Sequence, residues 1–230
     1  MILLKEETIE LLESNLHHAK NFQDKFDNVQ DSQEPEFVTV CCSDSRVLQD
    51  HMWGNKHPGK IFTCSNIGNR VFQSTVDGKK ISGDVLYPVK HTGTDTVVVV
   101  GHTGCGAVTA TYKDLQEHLD EPSGIRHCID LLEERIEEGV EQLPEDLDDH
   151  EAINHLVGYK VDREVEFLIE SDEISDEVDV IGVVYDFQDV YSGSRGQVHV
   201  VNVNGTEKQD SIKEQNPEIS NRVERLSSFN

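Results

Sequence analysis

Residues 96–106 read TVVVVGHTGCG. Thr96 to Val100 is apolar toward both sides, the mark of a strand buried inside a parallel sheet. One glycine later the chain presents His102 and then Cys105. Gly101, Gly104 and Gly106 allow tight turns and close backbone approach, and Ala107-Val108-Thr109-Ala110 begins a helix. In open α/β sheets, ligands bind in the crevice beyond the carboxyl ends of the strands, where strand order reverses. The residues with chemistry to offer stand at that place.

Four other stretches read as strands. Glu36 to Cys42 (EFVTVCC), Lys60 to Cys64 (KIFTC) and Val178 to Tyr185 (VDVIGVVY) are short β-branched runs. Gln197 to Val203 (QVHVVNV) alternates after a Ser-Gly-Ser-Arg-Gly turn, as an antiparallel edge strand does. Helical spacing fills the gaps. From about 6 to 27, Ile9, Leu12, Leu16, Ala19, Phe22 and Phe26 recur as one stripe, expected to be buried. Ile125–Ile136 and Ile153–Ile169 are the clearest further helices, the second with Ile153, Leu156, Val157, Val161, Val165 and Leu168 on one face.

Strands alternating with helices give an α/β class with a mostly parallel sheet covered on both faces. The expected sheet has four strands in the order 2-1-3-4, with the antiparallel strand added at one edge. Residues 1–205 are expected to form a single domain with an N-terminal helical arm. Residues 206–230 are polar, with a short helix, as a flexible tail or an arm on a neighbouring subunit.

The order 2-1-3-4 makes the first and third strands neighbours. The first ends in CCSDSR, residues 41–46, so Cys42 meets His102 and Cys105 although about sixty residues intervene. Two thiols and one imidazole suit zinc, and no fourth Cys or His stands at paired spacing. A three-ligand set leaves one coordination position for water, the catalytic arrangement. Asp44 and Arg46 lie just beyond Cys42. An Asp beside an Arg stays ionised and can orient a water on the metal; as a plain loop salt bridge the pair is worth little. Free N–H groups near Gly104 and Cys105 are expected to face the metal and an anionic product, which makes Gly104 a candidate substrate-binding residue.

Composition bounds the partners. Among 230 residues, 45 are acidic and 20 basic, a net charge of −25. Nucleic acids and anionic membranes select basic surfaces, so neither is expected as a partner. The acidity is spread over the whole chain, as in a halophile protein. Self-repulsion destabilises a compact state at such charge, and salt screens it, with a Debye length of about 3 Å at 1 M. The melting temperature is therefore expected to rise markedly from dilute buffer to molar KCl; equal values in the two would exclude this reading.

Five cysteines form no regular framework of disulfide spacing. Cys41 points to the opposite face of its strand from Cys42, and Cys41, Cys64 and Cys128 read as small hydrophobes. The other histidines show no ligand-like pairing. The N-terminus meets charge at Lys5, too early for a signal peptide, and no apolar run approaches the roughly 20 residues that span a bilayer. The expected compartment is a reducing cytoplasm.

The two motifs together resemble those of the β-class carbonic anhydrases: C-S-D-S-R at Cys42–Arg46 and G-H-x-x-C-G at Gly101–Gly106. The resemblance runs from about Phe37 to Asp186. Asn66–Asn69 (NIGN) is similar to the family's R-N-x-x-N segment, and Asn154 and Gly182–Asp186 (GVVYD) are further points of likeness. It implies reversible hydration of carbon dioxide to bicarbonate and a proton, with Zn2+ on Cys42, His102 and Cys105, Asp44 positioning the nucleophile and Arg46 holding Asp44. It also implies a homodimer or tetramer with sites near the subunit interface, and the charge suggests a halophilic archaeon as source.

In some members the Asp becomes a fourth zinc ligand and closes the site. Those members use the Arg of R-N-x-x-N to bind bicarbonate, where this chain has Ser65. His57 stands where many relatives carry Gln before Pro-Gly; it is either a replacement donor or a surface histidine. Two other activities share these residues: hydrolysis of carbon disulfide or carbonyl sulfide, and non-catalytic zinc binding.

Overall fold

A computed structural model describes residues 4–226. The chain runs α1 (Glu6–Phe22), β1 (Phe37–Cys42), α2 (Gln49–Met52), β2 (Ile61–Asn66), β3 (Phe72–Thr75), β4 (Gly78–Ile81), α3 (Gly83–His91), β5 (Thr96–His102), α4 (Gly106–Glu117), α5 (Ser123–Glu141), α6 (Asp149–Ile169), β6 (Asp179–Asp186), β7 (Gln197–Val203) and α7 (Gln209–Gln215). Five strands form one sheet in the order β2-β1-β5-β6-β7. The first four are parallel, and β7 pairs antiparallel with β6 at the edge. The sheet is the one expected from the run of valines and the spacing of the strands.

Alternation along the central strands divides the core. Val97 and Val99 of β5 face the larger cluster with Val38 and Val40 of β1 and the apolar stripe of α6. Val98 and Val100 face the smaller one with Cys41, Val183, Val200 and Ile212 of α7. The main helix, α6, starts in a capping box: Asp148 accepts from the Glu151 N–H at 2.9 Å, and Glu151 accepts from the Asp148 N–H at 3.0 Å. Two orphan donors are satisfied reciprocally. This helix lies so close to β5 that a Cβ on Gly101 would stand 2.7 Å from Val161.

The same helix carries a buried ion pair. Lys160 and Glu164, one turn apart on α6, are both buried and 3.1 Å apart. Glu164 also accepts the Val71 N–H at 2.8 Å, and Lys160 reaches the Asn69 side-chain oxygen at 3.4 Å. Removing one partner strands the other charge in the interior. Glu164→Ala is expected to lower unfolding free energy by about 3–5 kcal/mol, measured by urea denaturation. The double variant Lys160→Met/Glu164→Leu should recover part of that loss, since the Val71 N–H and Arg135 still lose their acceptor.

Three features differ from the sequence reading. The apolar stripe of α1 is not buried: the helix has no buried residue, and Leu12 and Leu16 are largely exposed. Periodicity fixes which face of a helix is apolar but not what covers it. The segment after Gly205 does not trail away. Ile212 of α7 is fully buried, Val223 bridges to Val200 of β7, and Arg225 holds Asp162 on α6 at 2.5 Å. A third feature is an antiparallel hairpin of β3 and β4, absent from the strands expected above. Among the described residues, no helix is long and apolar enough to cross a membrane.

Candidate metal centre

Because β1 and β5 are neighbours, their carboxyl ends deliver Cys42, His102 and Cys105 to one place. All three are buried, and their ligand atoms lie within 4.8 Å of one another. Each is set by its own local structure. Cys42 is the last residue of β1. His102 is the last of β5, and its Nδ1 lies 3.1 Å from the Thr103 carbonyl. Donation of Nδ1–H there fixes the tautomer and turns the Nε2 lone pair inward, as a bond from the outer ring nitrogen does for metal-ligating histidines. Nε2 is buried and has no hydrogen-bond partner among the described residues. An orphaned acceptor between two thiols is what a soft divalent cation satisfies, so the residues fit a metal of the zinc type.

Cys105 is the N-cap of α4. The backbone amides of Ala107 and Val108 favour the ionised form of its sulfur, and the Gly68 amide that of Cys42. Cys42 as donor lowers Cys105 to about 7, while Cys105 as acceptor raises Cys42 to about 12.

Gly104 is engaged within the chain. Its N–H donates to Asn154 Oδ1 at 2.9 Å and its carbonyl accepts from Arg46 Nη2 at 3.1 Å, so this amide is not a free donor. Its backbone is left-handed, with φ +58, a conformation that favours glycine, and the end of the Gln188 side chain packs against it.

Asp44 and Arg46 occupy the loop after β1. Arg46 Nε reaches Asp44 Oδ1 at 2.9 Å and Nη2 reaches Oδ2 at 2.7 Å, a bidentate fork. The Arg46 backbone N–H also donates to Oδ1, at 3.0 Å. The guanidinium holds the Asp44 carboxyl well below the usual carboxylate range. Oδ2 lies 3.8 Å from His102 Nε2, so the ionised oxygen borders the ligand atoms.

The remaining candidates separate from this group. Ser65 pairs with Ser43 at 3.2 Å, beside Cys42. Asn66 ties the following turn by bonds to the Arg70 carbonyl and N–H, and this turn carries Gly68 to Cys42. His57 is exposed, in a turn braced by its own backbone bonds to Asn55. Cys41 and Cys64 are buried, and burial pushes each thiol up to about 12. Residues that the sequence reading passed over also reach the centre: Phe187 stacks on His102, and Gln188 packs on Gly104.

Residues 37–194 match the family model described as carbonic anhydrase, a span that holds the whole of this centre. The chain belongs to the carbonic anhydrase family. Among curated relatives, the β carbonic anhydrase 5 of Arabidopsis thaliana, a chloroplastic protein, is 27% identical over 146 residues, 58% of this chain and 48% of that one. The chain spans about half the length of the curated relatives it matches.

Two solved β-carbonic anhydrases show the same fold at low identity. CafA of Aspergillus fumigatus superposes with a TM-score of 0.69 at 23% identity, covering 96% of this chain and 100% of that one. A structure from a study of two tetrameric β-carbonic anhydrases of Sordaria macrospora gives 0.67 at 20% identity, covering 86% and 98%.

Proposed function

We propose that this protein catalyses the reversible hydration of carbon dioxide to bicarbonate and a proton, with Zn2+ held by Cys42, His102 and Cys105. The observation that carries the reading is a buried Cys-His-Cys triad, its imidazole nitrogen unsatisfied, bordered at 3.8 Å by a carboxylate kept ionised. Zinc, when bound, supplies a Lewis acid that brings the pKa of a water toward about 7. The chain's own residues do the rest. The Thr103 carbonyl orients the imidazole, and the backbone amides of Gly68, Ala107 and Val108 favour the ionised sulfurs. Asp44, ionised by Arg46, can only accept a hydrogen bond. It therefore turns the attacking water so that a lone pair, not an O–H, faces carbon dioxide.

An oriented carboxylate has no task in a zinc store, which disfavours the non-catalytic alternative. Nothing in the centre favours carbon disulfide or carbonyl sulfide. Stopped-flow measurement of carbon dioxide hydration by zinc-loaded protein, with and without chelator and in high salt, tests the reading. Chelator-sensitive turnover is expected; none at alkaline pH would exclude the enzyme.

Assembly, compartment and salt habit belong to the same reading. A homodimer or tetramer is supported by the bare apolar face of α1, with Leu11, Leu12 and Leu16 exposed, and by the tetrameric relatives of Sordaria macrospora. Cytoplasmic residence is supported by five free cysteines, and a halophilic host by the charge of −25.

A further inference from the structure

The loop that follows β6 begins with Phe187, and this residue is pinned from both directions along the chain. Its N–H donates to Thr103 Oγ1 at 3.2 Å, and Thr103 Oγ1 donates to Asp186 at 3.2 Å. Asp186 in turn accepts the N–H groups of Gln188 at 2.9 Å, Val190 at 2.9 Å and Tyr191 at 2.8 Å. The buried carboxylate folds the loop back on itself and fixes where the ring of Phe187 stands.

That ring touches two parts of the centre at once. It stacks on His102, with centroids 5.7 Å apart and planes 23° apart. The guanidinium of Arg46 lies 4.7 Å from its centroid. Arg46 Nη2 also donates to the Gly104 carbonyl at 3.1 Å, but the side chain is 48% exposed, and exposed ion pairs hold their geometry weakly. An arginine over an aromatic face gains a further restraint, orthogonal to these bonds. Among the described residues, the Asp44 carboxylate is hydrogen-bonded by Arg46 alone, through both oxygens, with the Arg46 backbone N–H also donating. The order of dependence is therefore Asp186, Phe187, Arg46, Asp44.

We propose that Phe187 is a positioning residue for the Asp44–Arg46 pair: its ring holds the guanidinium, and thereby the carboxylate, in register with His102. The kinetic consequence rests on the carbon dioxide hydration reading; the geometric one does not.

The test uses full-length zinc-loaded protein as wild type, Phe187→Leu, Phe187→Tyr, Arg46→Ala and the double variant Arg46→Ala/Phe187→Leu. All are checked for zinc content and circular dichroism. Hydrogen exchange of the Arg46 Nε–H, followed by NMR, reads the clamp directly. It is expected to speed up on the order of tenfold in Phe187→Leu, and kcat to fall by a similar factor with KM within about twofold, since small misplacements of a catalytic group are costly. Phe187→Tyr, which keeps the ring, should recover most of both. Phe187→Leu should add no loss to Arg46→Ala, because the two act in series.

Wild-type exchange and kcat in Phe187→Leu, or losses that multiply in the double variant, would overturn the inference. Absence of hydration activity in wild type would defeat the functional reading, while the exchange measurement would still decide the role of Phe187. If Phe187→Leu loses zinc or fold, Phe187→Met is judged on the same two readouts.

Discussion

Cys42→Ser is expected to lose zinc and, with it, carbon dioxide hydration. A serine hydroxyl does not ionise near neutral pH, so the variant offers a neutral oxygen where an anionic sulfur is needed. Zinc sites of this donor type bind with roughly 10–16 kcal/mol. Shared over three protein ligands, that is about 3–5 kcal/mol each, or a loss of at least ~10²-fold in affinity. Chelator competition measures the affinity, and elemental analysis of the purified variant measures occupancy. Turnover should follow occupancy. The control is Cys41→Ser, whose sulfur lies in the smaller core on the other face of the sheet; its zinc content should match that of wild type. A Cys42→Ser protein that keeps zinc and full rate would dismiss Cys42 as a ligand.

Asp44→Ala is expected to separate binding from chemistry. The carboxylate is not one of the three clustered ligands, so zinc content should be retained. What disappears is the fixed acceptor 3.8 Å from His102 Nε2. A water with no acceptor beside it samples orientations that point a hydrogen at the substrate, and kcat should drop by about 10²-fold or more, the usual worth of a positioned proton-handling group. Asp44→Asn is the sharper probe. Its carboxamide nearly matches the shape but carries no charge and can present N–H in place of oxygen, so it should also be slow. A rate near wild type in either variant would show that Asp44 has no part in turnover.

Much of this was legible in the chain because it depends on local, periodic facts. Val97 to Val100 must sit inside a sheet, and the motifs at Cys42 and His102 must then lie at its carboxyl edge. The ion pair of Asp44 and Arg46 is a two-residue matter and was equally visible. What escaped depends on proximity that no spacing encodes. Phe187 follows a strand and looks like any core aromatic; only the third dimension sets it against Arg46, 141 positions earlier. The Gly104 amide looks free until Asn154 on α6 is seen to accept from it. The β3–β4 hairpin hid because Gly78-Lys-Lys-Ile81 has little β-branched character, although Asp77-Gly78 is a turn signal. The bare stripe of α1 was misjudged for a different reason: amphipathicity reports a surface that needs cover, not the cover itself.

The adjacent thiols at the end of β1 bear on how the site survives error. Were this strand to pair one residue out of step, Cys41 would arrive where Cys42 belongs, and coordination chemistry alone would accept the substitute. Val38 and Val40 would then swing out of the main interior and polar Thr39, now bonded to Gln49 at 3.0 Å, would swing in. It is oil-like packing, not affinity for an ion, that elects which sulfur serves.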